Sequence, residues 1–594
     1  MASVSSPSGD ASFRQLLAFV REHRKPILEQ FDPADFCLSL IDNRDDSEII
    51  LSARKLIDPL EPDVQDYAIS SAYTRLIGED VRKALSAYFT PPALAAAALA
   101  AIGELADPAQ QLRILDPACG GGSFLVPTAR LLIERRIRQG QAPAHACAEV
   151  LDQLKGIEID AGLARISAAL VRRMISREWN IDVDTSELVL CANALTAELL
   201  PTFDIAIGNP PYSKVWRKGA DEAKALAGRA DLGGHTNLYS LFVIRALDWL
   251  RPGGGLVFVL PTSFVAGTYF AGLREEILDR ADVVRLDLHQ QREDLFLDAT
   301  QDVCLLVLRR HRPNRLAEPR PYTLGVIDAS GIRTVLGTAD TPAGGEPWSL
   351  PVPISESSGG HHQLVGSAPA ATIADYGYRM RVGKIVPTRE GERLYAAAAS
   401  GRLPVLWASD VRPDGTFAFQ GGRRTSAAAW YAPVDPMKVP YASFGRSVLV
   451  QRTSNRDQQR RLNATAITQA FAEKHAKRGY VAENHVIVIE PIAGEVAVEP
   501  EILAALLNSV TMNRRFSAVS GSFSVSARLL ARLALPPADA LPSDPRAVEN
   551  LLPNLLSPID GILVPKPAQP DDAKSSRKIQ PPSDAAARSR TTSK

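Results

Sequence analysis

Between Arg113 and Arg310 the chain alternates short apolar runs with longer helix-forming stretches, and this alternation restricts the possible folds more than any other feature. RILDPACGGGSFL, starting at Arg113, reads as a strand, a glycine loop and the start of a helix. KGIEID (Lys155 to Asp160) is a second strand, LVLCANAL (Leu188 to Leu195) a third and FDIAIGN (Phe203 to Asn209) a fourth. NLYSLFVIRALDWL is an amphipathic helix that stops at RPGG, and GLVFVLP is a fifth strand. VVRLDLH (Val283 to His289) and DVCLLVLRR (Asp302 to Arg310) follow close together. Strands alternating with helices predict an α/β domain with a parallel sheet covered on both faces. The late, closely spaced pair predicts an antiparallel strand at its end.

With 594 residues the chain exceeds what one hydrophobic core organises, so several domains are expected. Residues 1–84 read as a helical, polar N-terminal segment and residues 85–325 as the α/β domain. Beyond about 325 prolines, glycines and scattered short strands replace the βα pattern, which predicts a separate α+β domain over 326–562. Residues 563–594, rich in Pro, Ser, Lys and Asp, read as a disordered tail. No internal repeat is visible. The formal net charge is zero, which disfavours a non-specific polyanion binder, although a neutral sum can hide a local basic face. Five dispersed cysteines argue against a disulfide framework or a zinc site, so no metal is expected. No signal pattern opens the chain, and PPALAAAALAAIGELA is too short and too acid-interrupted to span a bilayer; a cytoplasmic protein without a membrane partner is the expectation.

The loop DPACGGGSF sits between strand and helix, the context of a nucleotide-type site. Counted from Gly120, the third glycine of a dinucleotide fingerprint would fall at Leu125, and no Gly-Lys-Ser/Thr follows. Pyrophosphate binders are therefore disfavoured. Acids end the first strand (Asp116) and the second (Glu158). One carboxylate can accept from an ammonium and the other from the two hydroxyls of a ribose, and S-adenosylmethionine carries both groups without a phosphate. Asp160 reads equally well as a helix cap.

YFTPP (Tyr88 to Pro92), DPACGGGSF (Asp116 to Phe124), GIEID (Gly156 to Asp160), NPPY (Asn209 to Tyr212) and GGGLVFVLP (Gly253 to Pro261) occur in the order seen in gamma-class DNA adenine-N6 methyltransferases. The chain resembles a Taq-type member of that class, near the larger Eco57I-like branch, most closely over residues 85 to 310. The resemblance implies a Rossmann-like, seven-stranded S-adenosylmethionine-dependent domain that methylates N6 of an adenine flipped out of duplex DNA. Asn209 and the Pro210 carbonyl would accept from the amino group, Pro211 would stiffen the turn, and Tyr212 and Phe270 would stack on the base. Thr90 would touch the methionine end of the cofactor, with Asp116, Pro117, Ala118, Gly120 and Gly122 forming the loop, Glu158 at the ribose and Asn193 at the adenine. The family often has Asp in place of Asn193 and an aromatic in place of Ala194.

Residues 326–562 resemble the target-recognition domains of this class. Arg446, Arg452, Arg456, Arg460 and Arg461, with Arg514 and Arg515, lie among amide and hydroxyl residues of the kind that grip phosphates and read base edges. Each arginine alone reads as solvated surface. The implied partner is double-stranded DNA, with a restriction endonuclease acting on the same site as a functional partner and a monomer as the working unit. The rival readings are methylation of an RNA base or a protein glutamine, a fused restriction–modification enzyme, an anti-phage modifier, and a catalytically inert DNA reader.

Overall fold

In the computed structural model, residues 11–556 are described apart from 43–44, 86–88, 107–110, 201, 214–236, 291–301, 314–319, 343, 351–370, 421–428, 436–438, 454–459, 476, 493–494 and 521–524. The apolar runs pair into one mixed sheet: β1 (Ile114–Asp116), β2 (Leu154–Glu158), β3 (Val189–Cys191), β4 (Phe203–Gly208), β5 (Leu250–Pro261), β6 (Ala281–His289), β7 (Val303–Arg310), β8 (Tyr322–Ile327) and β9 (Arg333–Ala339). Their order is β3-β2-β1-β4-β5-β7-β6-β8-β9. The pairings from β3 across to β5 are parallel, and β7 runs antiparallel to both β5 and β6.

The strands are apolar at successive positions because both faces are covered. Ile205, Ile207, Val257, Val259, Leu305 and Val307 face one core, while Ala206, Leu256, Phe258, Leu260, Leu306 and Leu308 face the other. Each such Val, Leu or Ile contributes about 1.5–3 kcal/mol on full burial. The seven expected strands are joined by β8 and β9, which pair onto β6 and carry the sheet to Ala339; the boundary expected at residue 325 falls inside β8. Buried ions accompany this extension. Asp287 on β6 pairs with Arg285 (2.6 Å) and with Arg333 of β9 (2.8 Å), and Arg285 also reaches Glu104 of α7 (Pro92–Leu105).

The N-terminal helices α1 (Ala11–Glu22), α2 (Arg24–Gln30), α3 (Pro33–Asp42), α4 (Glu48–Ile57) and α5 (Pro62–Ile77) share the first core, and α6 (Glu79–Leu85) follows them. Phe13, Leu16 and Ile69 are continuous there with Ile205 and Val257. α8 (Leu125–Arg138), α9 (Pro143–Gln153) and α10 (Ala161–Trp179) complete that layer, and the helices Leu238–Trp249 and Ala271–Arg280 cover the opposite face. Strand order reverses between β1 and β4, so a crevice opens at their carboxyl ends.

The C-terminal region is α+β. One four-stranded sheet combines Tyr378–Val382, Val486–Pro491, Val448–Gln451 and Ala464–Ala466; a second combines Leu394–Tyr395, Trp430–Tyr431, Leu403–Leu406 and Val481–Ala482. The helices Pro500–Asn508 and Val510–Val519 pack on the first sheet through Leu503, Leu507 and Phe516. The sequence beyond 556 lies outside the described residues, as do Tyr88 and Arg456. Among the described residues no helix is long and apolar enough to cross a membrane.

Candidate active site

The crevice at the strand ends is a cavity of about 240 Å³. Thr90, Pro117, Ala118, Gly120, Glu158, Asn193, Asn209 and Pro211 all line it. These residues come from five separate stretches of sequence, and the parallel register of β1, β2 and β4 delivers three of them to one edge. Asp116 and Gly122 stand behind the lining. Asp116 is fully buried and Gly122 faces a smaller neighbouring cavity with Gly121 and Asp66.

Backbone geometry explains the glycines. Gly120 and Gly122 have φ of +51° and +84°, which a side chain disfavours. At Gly121 a Cβ would collide with the Ser70 side chain, because α5 runs directly beneath the loop and Ser70 Oγ donates to the Gly121 carbonyl (3.0 Å). The N-terminal helices therefore shape the loop.

Glu158 holds the loop from the other side. Its Oε2 accepts from Gly120 N (2.9 Å) and its Oε1 from Asp160 N (2.9 Å). Burial nevertheless raises its pKa, against the lowering effect of those bonds. Asp160 caps α10 by accepting from Leu163 N (2.9 Å) and also accepts from the Tyr73 hydroxyl (2.7 Å). Asp116 Oδ1 accepts from Ala118 N (3.1 Å), while its Oδ2 is buried with no partner. Burial, with repulsion from Glu158 adding to it, pushes the Asp116 carboxyl up to about 8.

That elevation has a measurable consequence. Above about pH 4 the unfolded chain ionises this carboxyl, whereas the fold keeps it protonated up to about pH 8. The folded state then binds the extra proton, so this group lowers stability progressively as pH rises through that window. In the ligand-free protein Asp116→Asn is expected to flatten the decline in melting temperature between these limits. Melting temperatures that fall in parallel for the two proteins would show that Asp116 is ionised in the fold.

Asn209 leaves the tip of β4 half-buried at the cavity wall. Its Nδ2 donates to Thr90 Oγ1 (3.0 Å), and its Oδ1 accepts from the Tyr212 hydroxyl (2.6 Å), which also lies 3.2 Å from the Val259 carbonyl. Burial drives the Tyr212 phenol well above its ordinary pKa, so it remains a donor. Tyr212 meets Tyr239 edge-on (6.2 Å between centroids), and Phe270 stacks on Tyr239 (5.5 Å, 29°). Neither Tyr212 nor Phe270 lines the cavity itself; they form an aromatic group beside it.

The apolar lining includes residues that sequence reasoning did not single out: Phe89, Ile157, Ile159, Leu195 and Phe242. Ile157 and Ile159 flank Glu158, which is a usable signal. Phe242 belongs to a helix whose pattern is that of any core helix, and nothing local marks it. Among the described residues no group of three or more His, Cys, Asp or Glu side chains is placed to hold a metal.

Residues 65–338 match the family model of the N-6 DNA methylases. The domain belongs to that family. The matched stretch takes in most of α5, the glycine loop, Asn209 and the nine strands of the sheet, short of the last residue of β9. The whole chain is similar over most of its length to two type II methyltransferases. One is M.BsuBI of Bacillus subtilis, 24% identical over 77% of this chain and 88% of the relative. The other is M.PstI of Providencia stuartii, 22% identical over 72% and 83%. Among solved structures it is similar to the type IIL restriction–modification enzyme MmeI in complex with DNA, with a TM-score of 0.53, 15% identity and coverage of 91% of this chain and 86% of that one. That likeness concerns the fold. The methyl donor of the family is S-adenosylmethionine, and the chain's residues fit it: a carboxylate at the cavity wall, an unpartnered buried carboxylate oxygen behind the loop, and no Gly-Lys-Ser/Thr for phosphate.

The C-terminal arginines are mostly engaged. Arg446 is paired with Glu501 and lies 3.5 Å from Glu499. Arg452 donates to the Asn484 carbonyl (3.1 Å), and Arg460 to those of Pro413 (2.6 Å) and Asn508 (3.4 Å). Arg514 is half-buried on its helix, and Arg515 is buried.

Proposed function

We propose that the chain methylates N6 of one adenine in a specific duplex sequence, as the modification enzyme of a type II restriction–modification system. The observation that carries this reading is that Asn209 and Pro211, on either side of the buried Pro210, line one cavity with the glycine loop and Glu158. In it, Asn209 Oδ1 and the Pro210 carbonyl accept the two hydrogens of an extruded adenine amino group. Adenine N6 is a poor nucleophile because its lone pair is delocalised into the ring. Two fixed acceptors draw the nitrogen toward tetrahedral geometry and stabilise the positive charge that develops on it. S-adenosylmethionine supplies the methyl group from its sulfonium to the N6 lone pair, and an N6 proton is lost. Thr90, through its bond to Asn209, holds the carboxamide beside the methionine end; Glu158 takes the ribose hydroxyls and Asn193 the cofactor's adenine. Pro117, Ala118, Gly120 and Gly122 shape the loop, and Asp116, protonated in the ligand-free protein, ionises when the ammonium is bound at the loop.

Extruding a base costs roughly a few kcal/mol, and Tyr212 and Phe270, each packed on the buried Tyr239, repay part of that by stacking. DNA is held by the C-terminal domain. Arg452, Arg460 and Arg514 are the better candidates for phosphate contact, and Arg446 must first leave its two glutamates. The enzyme acts as a monomer, with an endonuclease of the same specificity as functional partner.

Tyr212 has a second duty in this reading, since its hydroxyl orients the Asn209 amide. Tyr212→Phe keeps the ring and deletes that bond. It is expected to lower kcat about tenfold, the worth of one hydrogen bond near 1–1.5 kcal/mol. A variant as fast as wild type would leave Tyr212 with stacking alone. The whole reading is tested by expressing the chain and sequencing host DNA with modification-sensitive reads: one methylated adenine motif supports it, and unmodified DNA sinks it.

A further inference from the structure

Arg274 is a full-length cation buried to 2% exposure. Among the described residues its guanidinium forms no ion pair; it is spent on four backbone carbonyls from two separate segments. Nη1 donates to Phe264 O (2.6 Å) and Gly267 O (2.9 Å), in the loop that follows β5 and leads to Phe270. Nε donates to Gly345 O (3.0 Å) and Glu346 O (2.9 Å), and Nη2 to Gly345 O (2.5 Å), in the segment that leads from the sheet toward the C-terminal domain. Burial pulls its pKa down to about 10, which leaves it cationic at neutral pH.

Both segments are tied further. Glu275 accepts from Gly345 N (3.1 Å), Trp348 N donates to Val265 O (2.9 Å), and the Trp348 ring meets Phe264 edge-on. Glu346 pairs with Arg532 of the C-terminal domain at 2.7 Å, and Ala266 is buried in that domain's core with Tyr376 and Leu533. The loop leaves no slack at its turn, because a Cβ on Gly267 would lie 2.6 Å from Ser263 O and 2.8 Å from the Phe270 ring. Arginine suits this position because its planar fork of five N–H donors can serve several carbonyls at once, which the single ammonium of lysine cannot match.

We propose that Arg274 is a positioning residue: it locks the loop carrying Phe270 to the Gly345–Glu346 segment, and the Glu346–Arg532 pair extends the lock to the C-terminal domain, so that DNA seated on that domain sets the position of Phe270 at the target-base site. The inference rests on the function proposed above. It makes the loop the mechanical link between recognition and chemistry.

The test uses the full-length protein with two duplexes of its target motif, one with an unmethylated adenine for turnover and one with 2-aminopurine at the target position for the extrusion readout. Arg274→Lys is expected to lower kcat between about 10- and 10²-fold, the cost of a small misplacement, with KM for DNA and cofactor affinity within about twofold of wild type and a weaker 2-aminopurine signal. Unchanged kcat, or a loss that merely follows falling cofactor affinity and melting temperature, overturns it. Should Arg274→Lys fail to fold, Glu346→Gln serves. It cuts only the Arg532 leg and should lower kcat a few-fold, roughly the worth of a partly exposed ion pair, and no change in kcat overturns the proposal. A wild-type protein that methylates no DNA sinks the proposed function and this inference with it, whereas active wild type beside an equally active Arg274→Lys sinks this inference alone.

Discussion

Asn209→Ala is expected to reduce methyl transfer to DNA by about 10³-fold, the scale on which removing one preorganised polar group from a reacting centre acts. The substitution deletes the carboxamide that reaches Thr90 and Tyr212 and leaves the surrounding walls in place. Tyr212 keeps the Val259 carbonyl as an acceptor, and the Thr90 hydroxyl, which loses the Asn209 donor, borders the cavity, so the fold should survive. Cofactor affinity should stay within a few-fold of wild type, because Glu158 and the glycine loop are untouched. The measurement pairs labelled-methyl incorporation into a cognate duplex with calorimetric titration of S-adenosylmethionine. Loss of turnover with retained binding assigns Asn209 to the chemical step. Turnover within tenfold of wild type would remove it from that step.

Glu158→Ala should act on the other half of the site, weakening cofactor binding by about 10²-fold. Two losses combine. The ribose forfeits its acceptor, and Gly120 N and Asp160 N both lose the carboxylate that organises the loop and the start of α10. Charge-assisted hydrogen bonds of this kind contribute about 1.5–3 kcal/mol each, so the predicted weakening is conservative. Glu158→Gln separates the two effects, since its one remaining oxygen can accept from only one of the backbone groups with full strength. Titration of all three proteins gives the answer, and an alanine variant that binds as tightly as wild type would place the ribose elsewhere. The contrast between the two substitutions is the informative result: Asn209→Ala should bind cofactor and fail to turn over, and Glu158→Ala should fail to bind.

The central sheet was legible in the sequence because its code is local. Ile205, Ile207, Val257 and Val259 sit in continuous apolar runs that only a strand covered on both faces accommodates, and the prolines after Asn209 end β4 where no ladder N–H is available. The late antiparallel pair was readable for the same reason. The β8–β9 extension was not, since half-exposed residues such as Val335 carry little pattern, and its anchor is the Arg285–Asp287–Arg333 cluster, which joins two neighbours on β6 to a residue nearly fifty positions later. The arginines of the C-terminal domain read as a DNA face, yet Arg446, Arg452 and Arg460 are occupied by glutamates and carbonyls that no local pattern announces.

By itself the sequence determined the chemical parts: the glycine loop, the acid after the second strand, and the rigid Asn-Pro-Pro-Tyr turn, each a short stretch whose backbone needs are met by its own residues. Only the tertiary structure decided what those parts face. Ser70 beneath Gly121, Phe242 in the cavity wall, Tyr212 bonded to Asn209 and Arg274 bridging two loops are contacts between residues brought together by the fold. Their formation depends on burial and on the satisfaction of polar groups across the whole core, quantities that no short window of sequence contains.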